Sequence, residues 1–269
     1  MAKRQRLDDE LVEQGFFATT DEALRAIMAG EVSTSDRRLT SAGQKVDRGL
    51  PLHVKGHGSY VSRGGLKLER GLDHFGVDPT GLACLDVGCS TGGFTDCLLR
   101  RGASSVLSVD VGYAQFDWAL RQDARVTLIE RTNIVDVPAA VGASCVDLAV
   151  CDVSFTSVTT VLPAVMELLR PHGAFLTLVK PQFESGRAAV GKRGVVKRPE
   201  TQRAVLRQIA AFVRNETDFA LMGLDVSPIQ GPEGNVEFLM LCRRGAAGLD
   251  PDAAEERIEW LVHVVHGHA

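Results

Sequence analysis

No stretch of the 269-residue sequence stays apolar for the roughly 18 residues that a membrane-crossing helix needs; the longest candidates are broken by Asp152, Lys180 or Glu237. An integral membrane protein is therefore not expected. Residues 1–10 are charged and no apolar stretch of signal-peptide length follows them, so the expected location is the cytoplasm. Six cysteines are present (Cys84, Cys89, Cys97, Cys145, Cys151, Cys242), but no two are spaced Cys-x-x-Cys, which removes the usual zinc pattern. They fall mostly in apolar segments and read as buried, reduced thiols, with no metal expected. A basic excess is missing too. Thirty Lys plus Arg against 34 Asp plus Glu give a net charge of -4, which excludes a protein that is basic throughout and leaves room only for a local basic patch. Aromatic residues make up just 6%, so few side chains are available to stack on a nucleobase. A monomer is expected.

Residues 1–55 read as a small α+β unit with nine basic and nine acidic residues. Leu7, Leu11 and Val12, then Ala23, Leu24, Ile27 and Met28, recur at helical spacing; Thr19 or Thr20 suits an N-cap and Gly30 a stop. Short extended pieces are expected around Val32, Val46 and residues 52–54, and residues 56–61 form a linker. From 62 to 269 short apolar strands alternate with longer helical stretches, the pattern of an α/β domain with a parallel sheet covered by helices. Seven strands are expected, at 83–87, 105–110, 126–130, 146–152, 175–179, 220–227 and 236–242. The Pro- and Gly-containing segment 228–234 suits a hairpin, which makes the last strand antiparallel. The tail should end in one amphipathic helix.

The strongest local signal is Cys84-Leu85-Asp86-Val87-Gly88-Cys89-Ser90-Thr91-Gly92-Gly93-Phe94, a strand running through a glycine-rich turn into a helix. Such glycines let backbone approach a ligand closely, although a turn needed only for packing has the same composition. Twenty-four residues after Asp86 a second strand ends in Asp110, placed to accept the hydroxyls of a ribose. A dinucleotide would favour Gly-x-Gly-x-x-Gly around its pyrophosphate. An acidic turn instead suits a cationic, phosphate-free nucleoside cofactor, S-adenosylmethionine. Asn133, in Glu130-Arg131-Thr132-Asn133, is either an adenine contact or a helix cap. The fourth and fifth strands deliver Asp152-Val153-Ser154-Phe155 and Val179-Lys180-Pro181-Gln182-Phe183-Glu184 to the same sheet edge, which puts Lys180 beside Asp152 as a reactive pair or a plain salt bridge. Glu237 is a charge within an otherwise apolar strand and Lys67 stands just before the sheet, either of them a site residue or a plain solvent-facing charge. Between 180 and 203 seven basic residues face two acidic ones, a loop suited to phosphate contacts. Phe155 ranks first, ahead of Phe183, Tyr60 and Tyr113, for stacking a base.

Taken in order, Ser62-Arg63-Gly64-Gly65-Leu66-Lys67-Leu68, the 86–94 turn, Asp110-Val111-Gly112-Tyr113, Glu130 to Asn133, Asp152 to Phe155, Val179 to Glu184 and Gly231-Pro232-x-Gly234-Asn235-Val236-Glu237 resemble the TlyA family of ribosomal RNA 2'-O-methyltransferases. The resemblance covers nearly the whole chain. It implies an S4-like RNA-binding domain ahead of an FtsJ-like, seven-stranded Rossmann-like class I methyltransferase domain that uses S-adenosylmethionine. It implies a catalytic set of Lys67, Asp152, Lys180 and Glu237, with Lys180 taking the proton of the 2'-hydroxyl. Cofactor contacts then fall on Asp86, Gly88, Ser90, Thr91, Gly92, Gly93, Phe94, Asp110, Asn133 and Asp152. RNA contacts fall on Arg4, Arg6, Arg63, Phe155, Arg187, Lys192, Arg193, Lys197 and Arg198. Long members of the family modify cytidines in 16S and 23S rRNA within ribosomal subunits, shorter ones 23S alone.

Three other readings are weighed. A base N-methyltransferase usually follows its Asn or Asp with two prolines and an aromatic residue, whereas here the run is Asp152-Val153-Ser154-Phe155. A membrane-active haemolysin has little physical support without a long apolar span or a basic amphipathic helix. A non-catalytic RNA-binding protein would bind RNA and leave it unmethylated.

Overall fold

The computed structural model describes residues 4–14, 16–17, 19–34, 37–50, 52–54, 60–186, 189–191, 194–231 and 234–267. Arg187, Lys192, Arg193 and residues 56–59 of the expected linker lie outside the described residues. The chain divides into two compact units, Met1–Ser62 and Arg63–Ala269.

In the first unit β1 (Arg4–Arg6) leads into α1 (Leu7–Glu13), followed by α2 (Thr20–Met28), β2 (Val32–Ser33), β3 (Lys45–Asp47) and β4 (His53–Val54). Thr19 caps α2: its side chain accepts from the Glu22 amide while the Glu22 carboxylate accepts from the Thr19 amide, a reciprocal capping box. Of the apolar residues at helical spacing, Leu7, Leu11, Ala23 and Ile27 are fully buried, with Val32, Val46 and Val54 of the strands buried beside them, whereas Val12 is half-buried and Leu24 and Met28 are exposed. Strand β1 was not expected. It pairs antiparallel with β3, Gln5 opposite Val46, and too few residues are involved for an alternating pattern to show.

The second unit contains α3 (Gly64–Phe75), β5 (Ala83–Val87), α4 (Gly93–Arg100), β6 (Ser105–Val109), α5 (Trp118–Arg121), β7 (Val126–Ile129), α6 (Val137–Val141), β8 (Val146–Cys151), α7 (Val158–Leu168), β9 (Leu169–Val179), α8 (Pro181–Glu184), α9 (Pro199–Glu216), β10 (Phe219–Val226), β11 (Phe238–Arg244) and α10 (Pro251–His266). One seven-stranded sheet has the order β10-β11-β9-β8-β5-β6-β7. Pairings from β7 to β9 are parallel, and β11 lies antiparallel to both β9 and β10. The α/β class, the seven strands and the reversed last strand agree with the sequence reading. The fifth strand starts earlier than expected, at Leu169 rather than 175, because Arg170 to Gly173, which lie outside any hydrophobic pattern, form an irregularity within it, with His172 at φ +65° and the register opposite β8 shifting there.

Alternation along β9 assigns the two faces. Phe175 is fully buried in a core with Leu162 and Val165 of α7, Leu206 and Ile209 of α9 and Leu261 of α10. Its neighbour Leu176 points the other way, and a Cβ on Gly71 of α3 would stand 3.0 Å from it. Helices therefore cover both faces, as strands buried on both sides require. The chain passes from β5 outward to β6 and β7 and returns to β8 on the other side of β5, so the sheet has a topological switch point between β5 and β8. Phe175→Ala is expected to cost about 3–5 kcal/mol, the cavity left by a deleted core phenylalanine, read as a lowered urea midpoint.

Candidate active site

A cleft of about 480 Å³ opens at the carboxyl ends of β5, β6 and β8, at the switch point. Gly88 and Ser90 from the first turn, Asp110 after β6, Thr132 and Asn133 after β7, and Asp152 to Thr156 after β8 line it. Backbone bonds tie these turns together: the amides of Gly88 and Cys89 donate to Val109 O at 2.9 and 3.2 Å, and the amide of Asp152 donates to Val87 O at 3.0 Å. Gly88 has φ +79°, and a Cβ there would lie 2.9 Å from the Asp152 carbonyl oxygen, so the two turns meet only because this residue is glycine.

Four separated segments bring charge to one point beside this cleft. Lys67 comes from α3, Asp152 follows β8, Lys180 follows β9, and Glu237 immediately precedes β11. Lys67 Nζ donates to Glu237 Oε2 at 2.5 Å and lies 3.8 Å from Asp152 Oδ2. Lys180 Nζ forms an ion pair with Asp152 Oδ1 at 2.5 Å and donates to Ser154 Oγ at 3.2 Å. Lys67, Lys180 and Glu237 are at most 7% exposed. The second oxygen of Glu237, Oε1, has no hydrogen-bond partner among the described residues. Ser154 is the member of this group that sequence reasoning passed over, although it stands within the Asp152 to Phe155 run. The Phe155 ring lies 5.0 Å from that of Phe183, is 91% exposed, and is held outward by a left-handed backbone of φ +65°.

Of the expected cofactor residues, Gly88, Ser90, Asp110, Asn133 and Asp152 line the cleft, whereas Asp86, Thr91, Gly92, Gly93 and Phe94 do not. Gly92, at φ +96°, backs onto Leu120 and Phe116, and Gly93 and Phe94 are buried in the first turn of α4. Thr91 holds the following loop by accepting from the Asp117 amide at 3.1 Å. A glycine that faces a neighbouring helix and one that faces a ligand look the same in a sequence. Asp110 differs in detail from expectation, since its oxygens accept from the amides of Ser90 at 2.7 Å and Gly112 at 2.6 Å, leaving one lone pair on each. Asn133 caps the turn that follows, its Oδ1 accepting from the Val135 amide at 3.3 Å, and it also lines the cleft.

The expected RNA contacts divide as well. Arg63, Lys197 and Arg198 are exposed. Arg4 donates to Lys45 O at 2.6 Å, and Arg6 makes a two-pronged pair with Asp8 at 2.9 and 2.6 Å, so both guanidinium groups are engaged within their own unit. Lys197 and Arg198 follow a fastened segment rather than a loose loop. Val196 is 2% exposed, its amide donates to Asn235 Oδ1 at 3.0 Å, and its carbonyl accepts from Gln202 at 3.2 Å.

Asp86 is fully buried, with Oδ2 accepting from Thr95 Oγ1 at 2.6 Å and Oδ1 unpartnered among the described residues. Burial, opposed by the Thr95 bond and reinforced by the charge of Asp152, pushes its carboxyl up to about 7. Ionising it costs more in the fold than in the unfolded chain. Its contribution to stability is therefore full below the ordinary value of 3.8 and is lost as pH rises through about 7. Urea unfolding followed between those limits should show the fold losing stability as pH rises, and Asp86→Asn should flatten that slope.

Comparison with known proteins places this architecture. Residues 60–244 match the family of FtsJ-like methyltransferases. The chain is 45% identical over 268 residues to YqxC of Bacillus subtilis, provisionally named an rRNA methyltransferase, with 98% of this chain and 95% of the relative covered. It is 41% identical over 248 residues to the 16S/23S rRNA (cytidine-2'-O)-methyltransferase TlyA of Mycobacterium tuberculosis, covering 90% and 91%. Among solved structures, a Streptococcus thermophilus protein provisionally described as a hemolysin superposes with a TM-score of 0.75 at 38% identity, covering 100% of this chain and 98% of that one. By family match and by fold, this chain belongs to the FtsJ-like methyltransferase family.

Proposed function

We propose that this methyltransferase moves the methyl group of S-adenosylmethionine to the 2'-hydroxyl of a cytidine ribose in ribosomal RNA, 23S and also 16S, within ribosomal subunits in the cytoplasm. The observation that carries the reading is the meeting of Lys67, Asp152, Lys180 and Glu237 at the rim of an acid-lined cleft. Substrate and position follow from likeness to the TlyA relative, whose name specifies cytidine 2'-oxygen in 16S and 23S rRNA.

The cleft fits the cofactor. Its volume lies in the usual range for small-molecule sites, and its only charged lining residues among the described ones are Asp110 and Asp152. Acidic walls without a lysine or arginine favour a cationic, phosphate-free ligand over a pyrophosphate. When bound, S-adenosylmethionine supplies an electrophilic methyl group on a sulfonium. Asp110 would take the ribose hydroxyls and Asn133 Nδ2 an acceptor on the adenine.

A ribose hydroxyl attacks a methyl carbon well only as it loses its proton. Lys180 Nζ, held between Asp152 and Ser154, is the group placed to receive it. With all four groups charged the set is neutral. With Lys180 unprotonated, Lys67 still neutralises part of the charge of Asp152 and Glu237, and the remaining single negative charge is complementary to a neighbouring sulfonium. With S-adenosylmethionine bound to supply the methyl group, Lys180 would take up and hold the proton that the 2'-hydroxyl gives up. Phe155, exposed at the cleft mouth, offers a face on which the target base stacks. Arg63, Lys197 and Arg198, with Arg187, Lys192 and Arg193, supply phosphate contacts, and the N-terminal unit acts as an S4-like RNA-binding domain through Arg4 and Arg6.

Tritium transfer from labelled S-adenosylmethionine to 30S and 50S subunits lacking the modification tests the reading. Wild-type protein should label RNA, and Lys180→Ala should lower kcat by about 10²–10⁴-fold while cofactor affinity is kept. No label on either subunit, despite cofactor binding, would count against it. Phe155→Ala should leave cofactor affinity unchanged and weaken RNA binding by about 1–3 kcal/mol, the worth of one base–aromatic stack.

A further inference from the structure

The segments that leave the adjacent strands β8 and β9 run side by side and are joined at successive points. Lys180 meets Asp152 and Ser154, the Phe183 ring meets that of Phe155, and Glu184 closes the series. Glu184 Oε2 accepts from Ser157 Oγ at 2.5 Å and Oε1 accepts from the Val158 amide at 2.8 Å. The loop between Asp152 and Ser157 is thus tied at both ends, to β5 through the bond from the Asp152 amide to Val87 O and to the β9 turn through Glu184. That loop carries Ser154, which accepts from the Lys180 amine at 3.2 Å, and Phe155, whose ring packs on Phe183, itself 5.8 Å from the same amine.

Resting on the function proposed above, we propose that Glu184 is a positioning residue for methyl transfer, its carboxylate fastening the start of α7 so that Ser154 keeps its place against Lys180 and Phe155 its place against Phe183. A cap alone does not account for it. Ser157 already caps α7 by accepting from the Thr159 amide at 3.1 Å, and Glu184 comes from a turn 26 residues away. Its negative charge suits the positive end of an eleven-residue helix. Burial holds its carboxyl above the ordinary carboxylate value, and the bonds from Ser157 and Val158 oppose that shift, so the group is kept here at some cost to the fold. The cost falls beside the catalytic lysine.

The test compares Glu184→Ala, Glu184→Gln, Phe155→Ala and the double variant Glu184→Ala/Phe155→Ala in the full-length protein. Hydrogen exchange at the amides of 153–158 should rise in Glu184→Ala and stay near wild type in Glu184→Gln, which can still accept from Val158 and donate to Ser157. At saturating S-adenosylmethionine, kcat/KM for RNA should fall about tenfold or more in Glu184→Ala, the scale of a misplaced reacting group, and recover to within about threefold in Glu184→Gln. In the Phe155→Ala background the same substitution should cost distinctly less, because part of its effect passes through that ring. Equal cost in both backgrounds, or a lowered melting temperature with unchanged exchange and kcat/KM, overturns the proposal. A wild-type protein that labels no RNA overturns the functional reading instead, and the exchange data still decide whether Glu184 tethers the loop.

Discussion

Two ammonium groups and two carboxylates alternate in a space that little water reaches, and much of the second unit is arranged to let them meet. An unpaired charge in such a place costs several kcal/mol, so each member is tolerable only while its neighbours are present. The four come from α3, β8, β9 and the residue before β11, which makes the site a test of the whole sheet's assembly. Two glycines give the room. Gly71 lets α3 lie close on Leu176 and Leu239, near enough for Lys67 one turn earlier to reach Glu237. Gly231 leaves the space that the Glu237 carboxylate fills, since a Cβ there would land on Oε1.

The cleft beside this set obeys a different constraint. Strand order reverses between β5 and β8, so the chain leaves the two strands toward opposite sides and, beyond the point where their turns touch, a gap remains that no crossover covers. The gap is kept open by backbone rather than by large side chains: the 88–90 turn hangs on Val109, and Asp110 in turn holds the Ser90 amide. Ligand recognition and turn geometry therefore share one carboxylate.

The strands were legible because each is an apolar run ended by a polar residue, and Asp110, Asp152 and Lys180 mark three of those ends. The reversed strand was legible from the proline and glycine of 228–234. Lys67 was only suggestive from pattern, since it stands before the sheet on an ordinary amphipathic helix, and its catalytic role came from family resemblance. Ser154 and Glu184 escaped for another reason: their partners are 26 residues distant, and no local periodicity records a hydrogen bond between two turns. The pairing of Arg6 with Asp8 was not legible either, because a sequence does not show which guanidinium groups are already engaged. Asp86 was read as part of an acidic turn facing a cationic ligand, and the sequence carries no sign that Thr95 draws its carboxylate inward.

Strand β11 runs against its neighbours, and its register opposite β9 is fixed along six consecutive pairs, with Phe238 opposite Val179. Glu237 and Lys180 are each the next residue beyond that rung, one on the way into its strand and the other on the way out. Their spacing is thus set by the ladder and owes nothing to the hairpin that precedes it. The connection after β10 is free to lengthen, shorten or change composition in the course of evolution while the carboxylate stays where it is, provided that a residue without a side chain remains at position 231.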